Sequence, residues 1–243
     1  MSDTADARIG VLSAYGSPLL GYTLQALVKQ GLKIGGVILD AKGFDKKSMS
    51  IWNDRTQGRL PSLTLDQFEE HEIPTFFVSS HNSPTTAVLI KKLNLSVLVN
   101  GGTPTILKKC TLESTNLGVL NIHPGRLPDY RGCTCVEWAI FNNEQIYNSV
   151  HFMVSEIDAG PIVIEEGYRF GREDRYVDIR EKVYRCGFDL LARGARRVIE
   201  GHACLTDVLS PSDGGAYYKP IGELEMDIIN SRLATGEYRY QDS

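Results

Sequence analysis

The sequence lacks the marks of several large classes of protein. It has no surplus of positive charge, since 26 lysines and arginines face 30 aspartates and glutamates for a formal net charge of −4. A chain so balanced carries no electrostatic footprint for nucleic acid, and the cluster Arg193-Gly194-Ala195-Arg196-Arg197 reads as a solvated helix end. No apolar run approaches the ~18 residues that a membrane span needs. The start, Met1 to Arg8, is polar and is no secretory signal, so a cytoplasmic protein is expected. The five cysteines, Cys110, Cys133, Cys135, Cys186 and Cys204, are odd in number and have no paired spacing. That argues against a disulfide framework. Cys133-x-Cys135 is too tight for a zinc knuckle and has no second pair, so no metal site is expected and the cysteines read as small apolar residues. A Gly-x-Ser-x-Gly elbow is missing too, which removes a serine acyl-enzyme from consideration. Repeats and low-complexity segments are also missing.

What remains is an ordinary globular composition, 42% hydrophobic and 23% charged over 243 residues, which suits one large domain or a domain with an appendage. Arg8–Ser13 reads as a buried strand, followed by the turn Ala14-Tyr15-Gly16-Ser17-Pro18. A helix runs from Leu19 to Gly31, with Pro18 at its start and Gly31 at its end. Lys33–Asp40 is a second strand, completing a β-α-β unit and pointing to an α/β fold with a mostly parallel, doubly wound sheet. The first turn holds only Gly16, too few glycines for a dinucleotide fingerprint. Residues 41–63 are polar and irregular; Trp52 there either stacks on a ligand ring or covers a core edge. A short helix near Leu65–Glu70, a strand at Pro74–Val78, a helix at Ser83–Leu93 and a strand at Leu95–Val99 follow. Asn100-Gly101-Gly102-Thr103-Pro104-Thr105-Ile106-Leu107 comes next, with two glycines that allow close approach to a ligand and a helix expected from Pro104.

The organising stretch is Val119 to Gly132. An apolar strand ends at Pro124, which offers no N–H to a ladder, so His123 is its last extended residue. Side chains alternate along a strand, so Asn121 and His123 share a face at the mouth of the sheet. The loop beyond carries Arg126, Asp129, Tyr130 and Arg131. A helix at Thr134–Asn142 and a strand at Ser149–Val154 lead to Asp158, on a loop before another strand. Arg175–Ile199 is a long amphipathic helix. The tail from Cys204 shows strand-like and turn-like pieces. Its residues Met226, Ile228, Ile229 and Leu233 either cover the domain's own core or meet a twofold partner, and a homodimer is expected. The expected division is a catalytic domain over 1–203 and a short extension over 204–243.

A carboxamide, an imidazole and a carboxylate brought together suit acyl transfer to an amine. Asn121 and His123 can donate to a developing oxyanion, while Asp158 orients His123 or accepts the amine's proton through a water.

The pattern Asn121-Ile122-His123-Pro124-Gly125-x-Leu127-Pro128-x-Tyr130-Arg131-Gly132, with Val150-His151-Phe152 and Ile157-Asp158-Ala159-Gly160-Pro161-Ile162, resembles the N10-formyltetrahydrofolate-dependent formyltransferases. The resemblance covers roughly residues 8–200. It implies a Rossmann-like formyltransferase fold, formyl transfer from N10-formyltetrahydrofolate as co-substrate, and Asn121, His123 and Asp158 as the catalytic trio. It also implies that Gly101, Gly102, Thr103, Ile106, Leu107, Phe152, Val154 and Ile157 hold the pterin, through backbone groups of their loops. Glycinamide ribonucleotide formyltransferases carry a second glycine in the first turn to grip a phosphate, which Ala14–Pro18 lacks. Methionyl-tRNA formyltransferases add a C-terminal β domain, and formyl-folate hydrolases an N-terminal regulatory one; neither is expected here. The closest resemblance is to nucleotide-linked amino-sugar N-formyltransferases. The substrate contacts expected on that basis are Tyr15, Trp52, Arg126, Tyr130, Arg131 and Tyr217, with Arg55 and Tyr218 as further candidates. The remaining alternatives are another small amine as acceptor and a catalytically silent folate- or nucleotide-binding module.

Overall fold

The computed structural model describes residues 7–206 and 215–242; Met1–Asp6, residues 207–214 of the tail and Ser243 lie outside it. Strand β1 (Ile9–Ala14), helix α1 (Leu19–Lys29) and strand β2 (Ile34–Asp40) form the expected β-α-β unit, with the two strands paired in parallel. They are followed by helix α2 (Lys46–Thr56), a 3-10 turn over Leu65–His71, strand β3 (Thr75–Val78), helix α3 (Pro84–Lys92) and strand β4 (Val97–Asn100). The second half holds helix α4 (Lys109–Leu112), strands β5 (Val119–His123) and β6 (Tyr130–Gly132), helix α5 (Cys135–Phe141), and strands β7 (Tyr147–Phe152), β8 (Ile162–Gly167) and β9 (Phe170–Gly171). Helix α6 (Tyr176–Ile199), strand β10 (Ala216–Tyr218), helix α7 (Glu223–Thr235) and strand β11 (Gln241–Asp242) complete the chain.

The main sheet has the order β3-β2-β1-β4-β5-β7-β8. Its first five strands are parallel, and β7 and β8 are added antiparallel. This is the mostly parallel, doubly wound α/β sheet expected. Every residue of β1 is buried, as a central strand covered on both faces requires. Ile9 and Val11 join the apolar layer under α1 and α6, while Leu12 joins the opposite layer with Ile38, Ile90 and Leu98. The strand order reverses between β1 and β4, and open sheets of this kind form a crevice beyond the strand ends at such a point. Ser13 ties the two ends together there, its hydroxyl donating to the Gly101 carbonyl at 2.7 Å.

Three local expectations are corrected. The segment 41–63 is not irregular, because α2 is capped by Asp45, whose side chain accepts from the Ser48 N–H. Its inward side is only Met49, Trp52 and the polar Thr56, too little apolar surface to stand out among lysines and aspartates. No helix starts at Pro104; the backbone stays open through Lys108 before the single turn of α4. The tail is not merely strands and turns, since α7 buries Ile229 and Leu233 one turn apart, in a cluster with Ile140, Phe170 and Tyr238. Leu224 and Ile228, on its other side, remain exposed.

If the tail helix is part of this core, Leu233→Ala should cost about 2–5 kcal/mol of unfolding free energy by urea titration, with an unchanged slope. A loss below about 0.5 kcal/mol, the value for a surface site, would show that α7 is not seated there.

Candidate active site

The site is built at the end of β5. Pro124 stops the strand, and the chain turns back so that the Tyr130 carbonyl lies 2.7 Å from His123 Nε2. A carbonyl can only accept, so Nε2 carries the hydrogen and the neutral ring keeps its lone pair on Nδ1. Gly125 makes the approach possible: a Cβ there would sit 2.8 Å from both His123 Nε2 and the Tyr130 oxygen. His123 Nδ1 faces Asp158, with 3.4 Å to Oδ2. Asp158 holds a left-handed backbone conformation (φ 54°), a strained geometry for a non-glycine residue. It is steadied by the Gly132 N–H, which donates to Oδ2 at 3.1 Å. Gly132 cannot be replaced freely: its φ is +94° and a Cβ would meet the Tyr218 carbonyl at 2.4 Å.

The Asn121 carboxamide is fixed by a chain of hydrogen bonds whose direction is set at both ends. Asn100 Oδ1 accepts from the N–H groups of Gly102 and Thr103, at 3.0 and 2.9 Å. Its Nδ2 must then be the donor to Asn121 Oδ1, at 2.9 Å. Asn121 Nδ2 in turn donates to His151 Nε2 at 3.2 Å, and His151 Nδ1 donates to the Phe152 carbonyl at 2.9 Å. One N–H of Asn121 is left over for the cleft. His151 Nε2 also lies 3.7 Å from Asp158 Oδ1, so the two histidines flank one carboxylate.

Both rings are buried, and burial disfavours their charged forms more than Asp158 favours them. His123 is held below its ordinary value, and His151 is pushed down to about 4. Resting His123 therefore donates nothing to the cleft, a correction to its expected role as an oxyanion donor: its second nitrogen, facing Asp158, is an acceptor until it takes up a proton.

Two cavities meet at Asn100 and Asn121, which line both. The first, about 240 Å³, lies between the loops 103–107 and 153–158 and is lined by Thr103, Ile106, Leu107, Val154 and Ile157 among the expected residues. Thr105 and Met153 also line it, and Thr105 Oγ1 is buried there without a hydrogen-bond partner. The second, about 220 Å³, lies under α1 and α6 and includes Gly102, Thr23, Arg55, Arg180 and Tyr184.

Several expected contacts fall elsewhere. Trp52 is a core residue, 5% exposed, with its ring 4.8 Å from that of Tyr184. The Tyr130 side chain is buried as well, stacked 4.8 Å from Tyr218 with its hydroxyl on Glu144; only its carbonyl reaches the site. The Phe152 ring is in the core and its carbonyl is taken by His151, while Gly101 is buried and accepts from Ser13. Arg126 lies over the Tyr147 ring beside Glu165, and Arg131 donates to the Gly215 carbonyl. Tyr15 and Tyr217 are exposed and line neither cavity, Tyr15 lying against Phe77. Sequence reasoning missed Asn100 and His151 as site residues. His151 pairs with Asn121 through the antiparallel register of β5 and β7, which nothing local to either strand encodes.

Fold and site together define an α/β protein with a neutral-histidine, carboxamide and carboxylate cluster at its strand ends. The family described as Formyl transferase matches residues 49–193, more than half of the sequence, and the chain belongs to that family. It is 30% identical over 215 residues to a methionyl-tRNA formyltransferase of Chloroflexus aurantiacus, covering 82% of this chain and 66% of that protein. It is 25% identical over 185 residues to one of Syntrophus aciditrophicus, covering 74% and 55%. The chain thus spans about half to two thirds of the length of these curated relatives. Among solved structures the fold is similar to glycinamide ribonucleotide transformylase 1 from Symbiobacterium toebii (TM-score 0.61, 18% identity, 80% of this chain and 88% of that one). It is likewise similar to a sugar N-formyltransferase from Shewanella sp FDAARGOS_354 (TM-score 0.60, 17% identity, 94% and 87%).

The depressed histidines carry a pH signature. The unfolded chain protonates near the ordinary value of 6.5 while folded His151 resists until about 4. Stability is thus full above pH 6.5 and lost as pH falls toward 4. Unfolding free energies from urea titrations should drop across that window, and less steeply in His151→Gln. Parallel curves for the two proteins would contradict the burial argument.

Proposed function

We propose that this chain transfers a formyl group from N10-formyltetrahydrofolate to the primary amine of a nucleotide-linked amino sugar. The observation that carries the reading is the convergence of Asn121, His123 Nδ1 and Asp158 at the strand ends, with Asn121 lining both cavities and Asp158 the first.

The first cavity suits the folate. Its unpartnered Thr105 hydroxyl offers a hydrogen bond to a polar ring edge, and Ile106 and Ile157, both exposed, offer apolar faces to a flat heterocycle. Thr103, Thr105, Ile106, Leu107, Val154 and Ile157 would hold it. The bound carrier supplies an activated formyl carbon. The spare N–H of Asn121 stabilises the oxygen as negative charge develops on it during attack by the amine. His123 Nδ1 takes the proton that the amine must shed. Asp158, 3.4 Å away, then faces an imidazolium and stabilises it. His123 can hand the same proton to the departing nitrogen, so the imidazole returns to its neutral form as the C–N bond breaks.

For the acceptor, the first turn speaks against a ribotide phosphate seated there. Most of its amides are spent inside the protein, Ala14 N–H on Gly102, Tyr15 on Asp40, Ser17 on Ala14 and Leu19 on the Ser17 hydroxyl, which leaves the Gly16 N–H as the one amide of the turn outside these bonds. The fold likeness to a sugar N-formyltransferase, which takes in 94% of this chain, supports an amino-sugar acceptor.

The test is formyl transfer from N10-formyltetrahydrofolate to a panel of nucleotide-linked amino sugars, glycinamide ribonucleotide and methionyl-tRNA, read by mass spectrometry of the acceptor. A formylated amino sugar is expected, with kcat/KM reduced about 100- to 1,000-fold in Asn121→Ala. Turnover of one of the other acceptors alone would overturn the sugar assignment. Asn121→Ala within about threefold of the parent would overturn the mechanism.

A further inference from the structure

The second cavity holds a charge imbalance that the chemistry above does not use. Arg55 on α2 and Arg180 on α6 both line it, and one carboxylate, Glu137 on α5, lies between them. Arg55 Nε is 3.5 Å from Glu137 Oε1, and Arg180 Nη1 is 3.8 Å from Oε2. Glu137 Oε1 also accepts from the Tyr176 hydroxyl at 2.5 Å. The arginine side chains are 22% and 1% exposed and Glu137 is 2% exposed, so two cations and one anion are grouped with little exposure at the wall of this cavity.

The cluster is not closed on itself. Arg180 Nε and Glu137 Oε2 have no hydrogen-bond partner, and Arg180 Nη2 spends its bond on the Tyr184 hydroxyl at 2.8 Å. Tyr184 reports the resulting field. Burial alone would raise its phenol, yet Arg180 and Arg55 hold it below its ordinary value. A buried cation without a counter-charge is costly, and guanidinium forks match the geometry of phosphate and carboxylate oxygens. Such a pocket is complementary to one negative group, and it adjoins the amide of Asn121.

We propose that this cavity is an anion subsite in which Arg55 and Arg180 bind a phosphate or carboxylate of the acceptor while its amine reaches Asn121. Assigning the ligand as the acceptor rests on the formyl-transfer reading; the anion site itself does not. Two sources share the chemistry, the diphosphate of a nucleotide-linked sugar and a lone anionic group on a smaller amine.

The experiment is calorimetric titration of the full chain, without folate and at constant ionic strength, with inorganic phosphate, acetate and uridine diphosphate. Saturable binding of at least one probe is expected, weakened at least tenfold by Arg55→Met. Glu137→Gln, which keeps the Tyr176 contact but removes the opposing charge, should tighten binding several-fold. Uridine diphosphate binding more tightly than phosphate and acetate identifies the linked diphosphate; parity identifies the lone anionic group. No saturable binding by any probe, or binding that Arg55→Met leaves unchanged, overturns the site. Should Glu137→Gln fail to fold, Arg55→Met, changed at the more exposed end of the cluster, decides alone. Anion binding without formyl transfer to any amine would leave the subsite standing and sink the activity, whereas formyl transfer without anion binding would do the reverse.

Discussion

The hydrogen bond from His123 Nε2 to the Tyr130 carbonyl is the constraint on which the rest depends. It fixes one tautomer and so decides which nitrogen meets the cleft. It also accounts for the chain around it. Pro124 ends the strand one residue after the imidazole, Gly125 leaves the space that a Cβ would fill, and the loop returns so that β6 lies beside β10. Loosening that loop would free the ring to turn, and with it the distance to Asp158.

Around that ring the polar groups are ordered rather than merely close. Backbone N–H groups after β4 start a relay through Asn100, Asn121 and His151 that ends on the Phe152 carbonyl, and each link has one permitted direction. Buried networks of this kind hold a reactive amide without reorganisation. The sheet supplies the rigidity: β4, β5 and β7 are neighbours in it, so Asn100, Asn121 and His151 are carried on adjacent strands. The two histidines are made neutral by the same burial that orders them.

Much of this was legible in the residues themselves. The β-α-β start, the strand stopped by Pro124, and Asn121 and His123 on one face all follow from local rules, and Asp158 was found on its loop. The long helix α6 announced itself by its apolar period. What escaped depends on partners far along the chain. Asn100 looked like part of a turn, and His151 like one residue of an alternating strand, because their roles come from strand pairing. Trp52 could be a stacking platform or a core residue until α2 was seen to lay it against Tyr22 and Tyr184. Arg180 was hidden in a helix whose other inward residues are apolar, and nothing nearby in the sequence points to Glu137.

The most direct measurement of the central claim is the 15N chemical shifts of the two imidazoles at neutral pH. Neutral rings in opposite tautomers are expected, with the hydrogen on Nε2 of His123 and on Nδ1 of His151. A hydrogen on Nδ1 of resting His123, or an imidazolium at either position, would leave no lone pair facing Asp158 and the cleft, or would break the relay that orients Asn121, and would contradict the arrangement.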